Sequence, residues 1–133
     1  MRRGRGETRA CPSNVALGDA GEAAAVRMLL DAGMRLVERD VRLPEGQIDI
    51  VMDDAGILVV VEVKARRGLG FGLPEEAVDA RKLLRLRRLA ASYGRRSADL
   101  AGAWRPVRLD VVAVDLDLDG RATGLRHVRD ALS

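Results

Sequence analysis

Cysteine, histidine and aromatic residues are nearly missing from this chain of 133 residues. It has one cysteine (Cys11), one histidine (His127), and a single Trp, Tyr and Phe. A lone cysteine excludes an intrachain disulfide, and a lone histidine beside it excludes the thiolate and imidazole sets that hold zinc. Any metal here must be held by oxygen. An aromatic share of 2% counts against the base-stacking platforms of OB-type and RRM-type single-strand binders. Long apolar runs are missing too. The longest stretch of large aliphatic residues is five, Ile57 to Val61, far short of a membrane span, and the first 30 residues hold no apolar secretory core. The expectation is a soluble cytoplasmic protein with no membrane partner.

What the chain has is charge, unevenly placed. Charged residues make up 32% and the formal net charge is +3. Arg2, Arg3, Arg5 and Arg9 against Glu7 put that whole surplus in residues 1–14. Residues 15–133 are then neutral, but only by cancellation. Arg81, Lys82, Arg85, Arg87, Arg88, Arg95 and Arg96 give +7 over 81–96 with no acid among them, so the remainder holds −7. Such a separation suits an anionic partner on one side and cations on the other, although solvated arginines of a GC-rich genome would look the same. At this length and with 47% hydrophobic residues, a single packed domain is expected over 15–133, preceded by a disordered basic arm over 1–14.

Apolar residues recur at helical spacing through Leu17, Ala20, Ala24 and Met28, with Asn14 placed to cap the start and Gly33 the end. Met34 to Leu43 has a β pattern, Pro44-Glu45-Gly46 a turn, and Gln47 to Met52 a strand. Asp53-Asp54-Ala55-Gly56 reads as the next turn, and Ile57 to Arg66 as a central strand, apolar on both faces. A loop over 68–74 precedes a helix opened by Glu75-Glu76, with an apolar stripe of Val78, Leu83, Leu86, Ala90 and Tyr93, and Gly94 as its expected end. Residues 95–105 read as a loop around Trp104, which is expected to pack, as is Phe71. Val107 to Leu118, Asp119-Gly120 and Ala122 to Val128 complete a hairpin. The order is α-β-β-β-α-β-β: an α/β domain with a central mixed sheet flanked by helices.

Two ionisable residues interrupt the central strand. Alternation sets Leu58, Val60, Glu62 and Lys64 on one face and Val59, Val61 and Val63 on the other. An unpaired charge there is costly, so compensation is required. If a four-residue turn closes over 53–56, Asp49 opposes Val60 and Gln47 opposes Glu62, bringing Gln47, Asp49, Glu62 and Lys64 to one patch. Two carboxylates and a lysine without thiol or imidazole suit Mg²⁺ or Mn²⁺ held by Asp49 and Glu62, with Lys64 orienting water or meeting developing negative charge. A structural salt-bridge cluster fits the same spacing. Asp110 with Arg108 reads as a structural ion pair, and His127 as a satisfied group without a role.

Gly46-Gln47-Ile48-Asp49 followed by Val61-Glu62-Val63-Lys64 resembles the D…(D/E)xK signature of the PD-(D/E)XK nuclease superfamily. Within it the chain is most similar to the YraN family of bacterial proteins, distantly related to archaeal Holliday-junction resolvases. The similarity takes in Gly21-Glu22-Ala23, Asp40-Val41-Arg42, Glu62-Val63-Lys64-Ala65-Arg66, Phe71 to Val78, Lys82, Arg108-Leu109-Asp110-Val111-Val112 and His127 to Ala131. It implies a restriction-endonuclease-like core, an active centre of Asp49, Glu62 and Lys64, and Glu22 as a first-helix glutamate joining the metal. Two positions depart from the family: Gln47 stands where Glu is usual, and Asp40 where Asn is usual.

The implied function is divalent-metal-dependent phosphodiester hydrolysis of nucleic acid, DNA more than RNA. The alternative is a non-catalytic nucleic-acid-binding or scaffolding protein that keeps the nuclease fold. Arg81, Lys82, Arg85 and Arg88, extended by Arg66 and Arg67, would meet phosphates without reading sequence. The glycine-rich loop over 68–72 lacks the spacing of a nucleotide-binding loop. A homodimer would suit an enzyme that cuts two strands.

Overall fold

The computed structural model describes residues 14–67 and 80–131, with side chains over 18–66 and 80–131. The elements are α1 (Asn14–Asp31), β1 (Arg35–Leu43), β2 (Gly46–Asp54), β3 (Ile57–Arg67), α2 (Ala80–Ala101), β4 (Val107–Leu116) and β5 (Ala122–Val128). This is the α-β-β-β-α-β-β order that the residue pattern predicts. Asn14, expected in the arm, already belongs to α1; residues 1–13 and 68–79, including Phe71 and the Glu75-Glu76 helix start, lie outside the described residues.

The five strands lie in the order β1-β2-β3-β4-β5. β1, β2 and β3 pair antiparallel, β3 and β4 parallel, and β4 and β5 antiparallel, so the sheet is mixed. The parallel pair requires a crossover, and α2 lies within it. The alternation of β3 sorts the core into two layers. Val59 and Val61 join Ala25, Leu29, Ile50, Met52, Val112 and Val114 on the α1 side. Leu58 and Val60 join Val51, Leu86, Leu89, Tyr93 and Leu109 on the α2 side. Among the described residues, no helix is long and apolar enough to cross a membrane.

α1 ends at a Schellman motif: Gly33 takes φ +97°, its N–H reaches the Leu30 carbonyl at 3.0 Å, and the Met34 N–H reaches Leu29 at 3.1 Å. The helix buries Gly21, Ala25 and Leu29, one step around from the expected stripe of Ala20, Ala24 and Met28, which is only partly covered.

Four expectations need correction. The β2–β3 turn holds two residues, not four. Ala55 and Gly56 both have positive φ, as a type I′ turn requires, and the Asp53 carboxylate accepts the Gly56 N–H at 2.9 Å. Met52 therefore opposes Val59, and Asp54 opposes Ile57. The register moves by two, which preserves the faces. Second, α2 does not stop at Gly94 but runs on to Ala101. Gly94 is a packing residue, since a methyl there would lie 3.0 Å from Val107 Cγ2. The terminating glycine is Gly102, with φ +73° and its N–H on the Ala98 carbonyl at 2.8 Å. Third, Trp104 is not a packing residue. It follows that helix end and is 74% exposed, while Leu86, Leu89 and Tyr93 fill the layer under α2. β4 also closes earlier than expected, at Leu116, because the Asp117 carboxylate accepts the N–H groups of Asp119 and Arg121 and starts the turn.

Candidate metal and nucleic-acid site

β2 and β3 pair only as far as Ile50 and Val61. The next position on each strand is an acid, Asp49 and Glu62. Asp49 closes the gap with its side chain: its Oδ2 accepts the Val63 N–H at 3.1 Å, a strand donor that the β2 backbone no longer takes. The two-residue register change thus puts Asp49, rather than Gln47, at the place across from Glu62. Gln47 is exposed, opposes Arg42 on β1, and donates to Asp40 Oδ1 at 3.4 Å. Asp40 has φ +52°, a backbone state that Asn and Asp tolerate better than most residues.

Burial is the main force on the Asp49 carboxyl and pushes its pKa up; the Val63 N–H opposes this, and the Glu62 charge adds to it. Glu22 comes from α1, held close to β3 because Gly21 lies against Ala65. Its pKa is also raised, by burial first and then by the charges of Asp49 and Asp40, although Arg39 lies 3.6 Å away. Glu22 is therefore half-buried beside Asp49 and not a solvated helix acid.

Glu62 is paired across the site. Lys82 of α2 sets its Nζ 2.7 Å from Glu62 Oε2, with the two side chains 19% and 12% exposed. Lys64 shares this environment: its pKa is lowered by the Lys82 hydrogen bond first, then by burial, while Glu62 and Asp49 pull the other way. Burial works against the Lys82 charge, but hydrogen bonds to Glu62 and Lys64 outweigh it and hold its pKa above the ordinary value.

The remaining cations divide by face. Arg81, Arg85 and Arg88 are exposed along α2, at i, i+4 and i+7. Lys82 does not share that face; it lies in line with Leu86, Leu89 and Tyr93, on the stripe that α2 turns inward. That inward register was the available sign in the sequence that Lys82 belongs to the acid patch. Arg66 sits beyond Lys64 on β3, opposite Asp115 of β4, and the Arg67 side chain lies outside the described residues. Asp115 has no counterpart in the sequence reading. Its Oδ1 is buried without a hydrogen-bond partner among the described residues, and Arg126 stands 3.8 Å from its Oδ2.

Asp110 lies apart from this site and is fully satisfied. Arg108 reaches its two oxygens at 2.9 and 3.0 Å, His127 Nε2 lies 2.7 Å from Oδ2, and the Asp130 N–H reaches Oδ1 at 3.0 Å. The expected structural pair with Arg108 is present, and His127 completes it.

In donor chemistry the patch fits a hard divalent cation: carboxylate oxygens of Asp49 and Glu62, with Glu22 alongside, and one of those carboxylates already drawing a positive charge. Among the described residues, no three acidic, histidine or cysteine side chains stand grouped as metal ligands. An ion there would keep several waters.

The family description "Uncharacterised protein family UPF0102" matches residues 21–114, a span that includes Glu22, Asp49, Glu62, Lys64 and Lys82. A UPF0102 protein of Moorella thermoacetica is 49% identical over 114 residues, covering 86% of this chain and 92% of that protein. One from Rhodococcus opacus is 44% identical over 118 residues, covering 89% and 97%. One from Paenarthrobacter aurescens is 51% identical over 113 residues, covering 85% and 90%. The chain belongs to UPF0102, the YraN family.

Proposed function

We propose that this protein is a divalent-metal-dependent endonuclease that hydrolyses phosphodiester bonds in DNA, acting in the cytoplasm. One observation supports this above the others. Asp49, Glu62 and Lys64 meet where β2 and β3 part, next to a helix whose exposed face is arginine. Mg²⁺ or Mn²⁺, when bound, supplies Lewis-acid polarisation of the phosphodiester and a more acidic attacking water. Asp49 and Glu62 would hold the ion, and Glu22 would support them. The Val63 N–H fixes the Asp49 carboxylate, so one ligand is positioned before anything binds. Lys64 Nζ, whose pKa is lowered chiefly by Lys82, can orient a water or meet charge on a phosphate oxygen. Arg81, Arg85 and Arg88 suit backbone phosphates in any sequence. The likeness to resolvases favours DNA over RNA, and a homodimer would serve cleavage of two strands.

The test is cleavage of plasmid, linear and branched DNA, and of RNA, at low salt with Mg²⁺ or Mn²⁺. Nicking is expected in the unchanged chain and is expected to drop by about 100-fold or more in Glu62→Gln and Lys64→Met. Cleavage that survives both substitutions overturns the site assignment.

A second reading, a nucleic-acid-binding protein without catalysis, draws on Gln47, which leaves the site one carboxylate short of the family pattern and turns to Asp40 instead. Salt-sensitive DNA binding with no cleavage under any metal would favour it.

A further inference from the structure

The carboxylate that the proposed reaction needs for a metal ion already holds a cation. Lys82 reaches in from the first turn of α2, and its Nζ lies 2.7 Å from Glu62 Oε2 in a largely enclosed contact. An acid on an interior strand requires such a partner, because a buried, uncompensated carboxylate costs several kcal/mol or so. Lys82 also contacts Lys64, so two amines and two carboxylates, Asp49 and Glu62, share this small space. A dication and an ammonium cannot share Glu62 without repulsion.

Resting on the metal-dependent reading above, we propose that Lys82 is the resident counter-ion of the site, neutralising Glu62 in the metal-free protein and competing with a divalent cation for it. The helix with the exposed arginines is thereby part of the charge balance at the metal position. In the opposite arrangement, where Lys82 merely orients Glu62 for the metal, its removal would weaken metal binding.

The experiment is a Mn²⁺ titration of the full chain without nucleic acid, followed by calorimetry and by the electron paramagnetic resonance signal of free Mn²⁺. Lys82→Met is expected to bind Mn²⁺ about tenfold more tightly than the unchanged chain, because the ion no longer displaces a bound partner. Lys82→Gln provides the same comparison should the Met variant fold poorly. Lys82→Arg, which keeps the charge, is expected to stay within about twofold of the unchanged chain. Adding Glu62→Gln to Lys82→Met is expected to abolish the gain. Equal or weaker Mn²⁺ binding by the Met and Gln variants overturns the role of Lys82 and leaves the metal reading standing. No Mn²⁺ binding by any of these chains overturns both.

Discussion

Gly21 on α1 and Ala65 on β3 are in such close approach that a methyl group on the glycine would lie 2.7 Å from the Ala65 Cβ. Nothing larger than hydrogen fits at position 21 while α1 keeps its place. Glu22, the next residue, owes its position beside Asp49 to that approach.

Gly21→Ala is therefore expected to destabilise the protein by about 1–3 kcal/mol through overpacking, even though alanine is the better helix former. Thermal or urea unfolding checks this. Ala65→Gly in the same chain should recover part of the loss, because it removes the atom that clashes. Unfolding of Gly21→Ala at the same midpoint as the unchanged chain would show that α1 shifts freely, and that Glu22 is not held.

Asp49 pays for its place in stability. Its carboxyl pKa is raised, by burial first, so the folded chain takes up this proton more readily than the unfolded chain does. At neutral pH the ionised group then opposes folding, and the opposition is relieved as pH falls toward the raised folded-state pKa. Asp49→Asn keeps an oxygen for the Val63 N–H and loses the charge. It is expected to gain about 0.5–2 kcal/mol in urea unfolding at pH 7, of the kind seen when functional groups are neutralised, while losing the proposed nuclease activity. A loss of stability in Asp49→Asn would contradict this.

Asp110 works with the opposite sign. Burial opposes its ionisation, but His127, Arg108 and the Asp130 N–H prevail and hold its pKa down to about 2. The unfolded chain binds this proton more readily, so the contribution to stability is present above the ordinary pKa of 3.8 and is lost as pH falls from there toward 2. The amount is about 2 kcal/mol. Because Asp110 is 0% exposed, Asp110→Asn removes the charge that Arg108 and His127 meet, leaves Arg108 with Asp54 as its carboxylate, and should cost about 2–3 kcal/mol at pH 7. Its unfolding free energy should also depend less steeply on pH between 4 and 2. Parallel pH profiles for the two chains would refute the assignment.

The proposed DNA binding should respond to the exposed face of α2 and to salt together. Replacing Arg81, Arg85 and Arg88 by Ala is expected to weaken binding on every sequence alike, and to reduce the slope of log K against log salt by roughly 0.9 for each phosphate that is no longer neutralised. Gel shifts or fluorescence anisotropy across a salt series would measure it. An unchanged slope would discard this helix as the binding face.

Much of this fold can be read from local chemistry. Ile57 to Lys64 announces a buried strand whose faces alternate, Gly33 marks the end of α1, and Asp49, Glu62 and Lys64 stand out as charges in an apolar setting; all of these rest on interactions between residues near in the chain. The hairpin register did not follow from composition. Whether Ala55 would adopt positive φ beside Gly56 depends on the twist of the strands it joins, and a two-residue turn replaced Gln47 with Asp49 opposite Glu62. Gly94 misled for a related reason. A glycine at a helix end and one pressed against Val107 look alike until the sheet is in place.

The sequence by itself determined the strand alternation, the order of elements, the oxygen-only chemistry open to a metal, and the arginine face at helical spacing. Periodicity and side-chain type suffice for these. Only the tertiary structure decided that Lys82 leaves that basic series to meet Glu62, that Gly21 brings Glu22 to Asp49, and that Asp110 gathers Arg108, His127 and the Asp130 amide. These pairings join residues far apart in the chain. They depend on which faces the sheet, helices and crossover press together, and so on packing that no local pattern encodes.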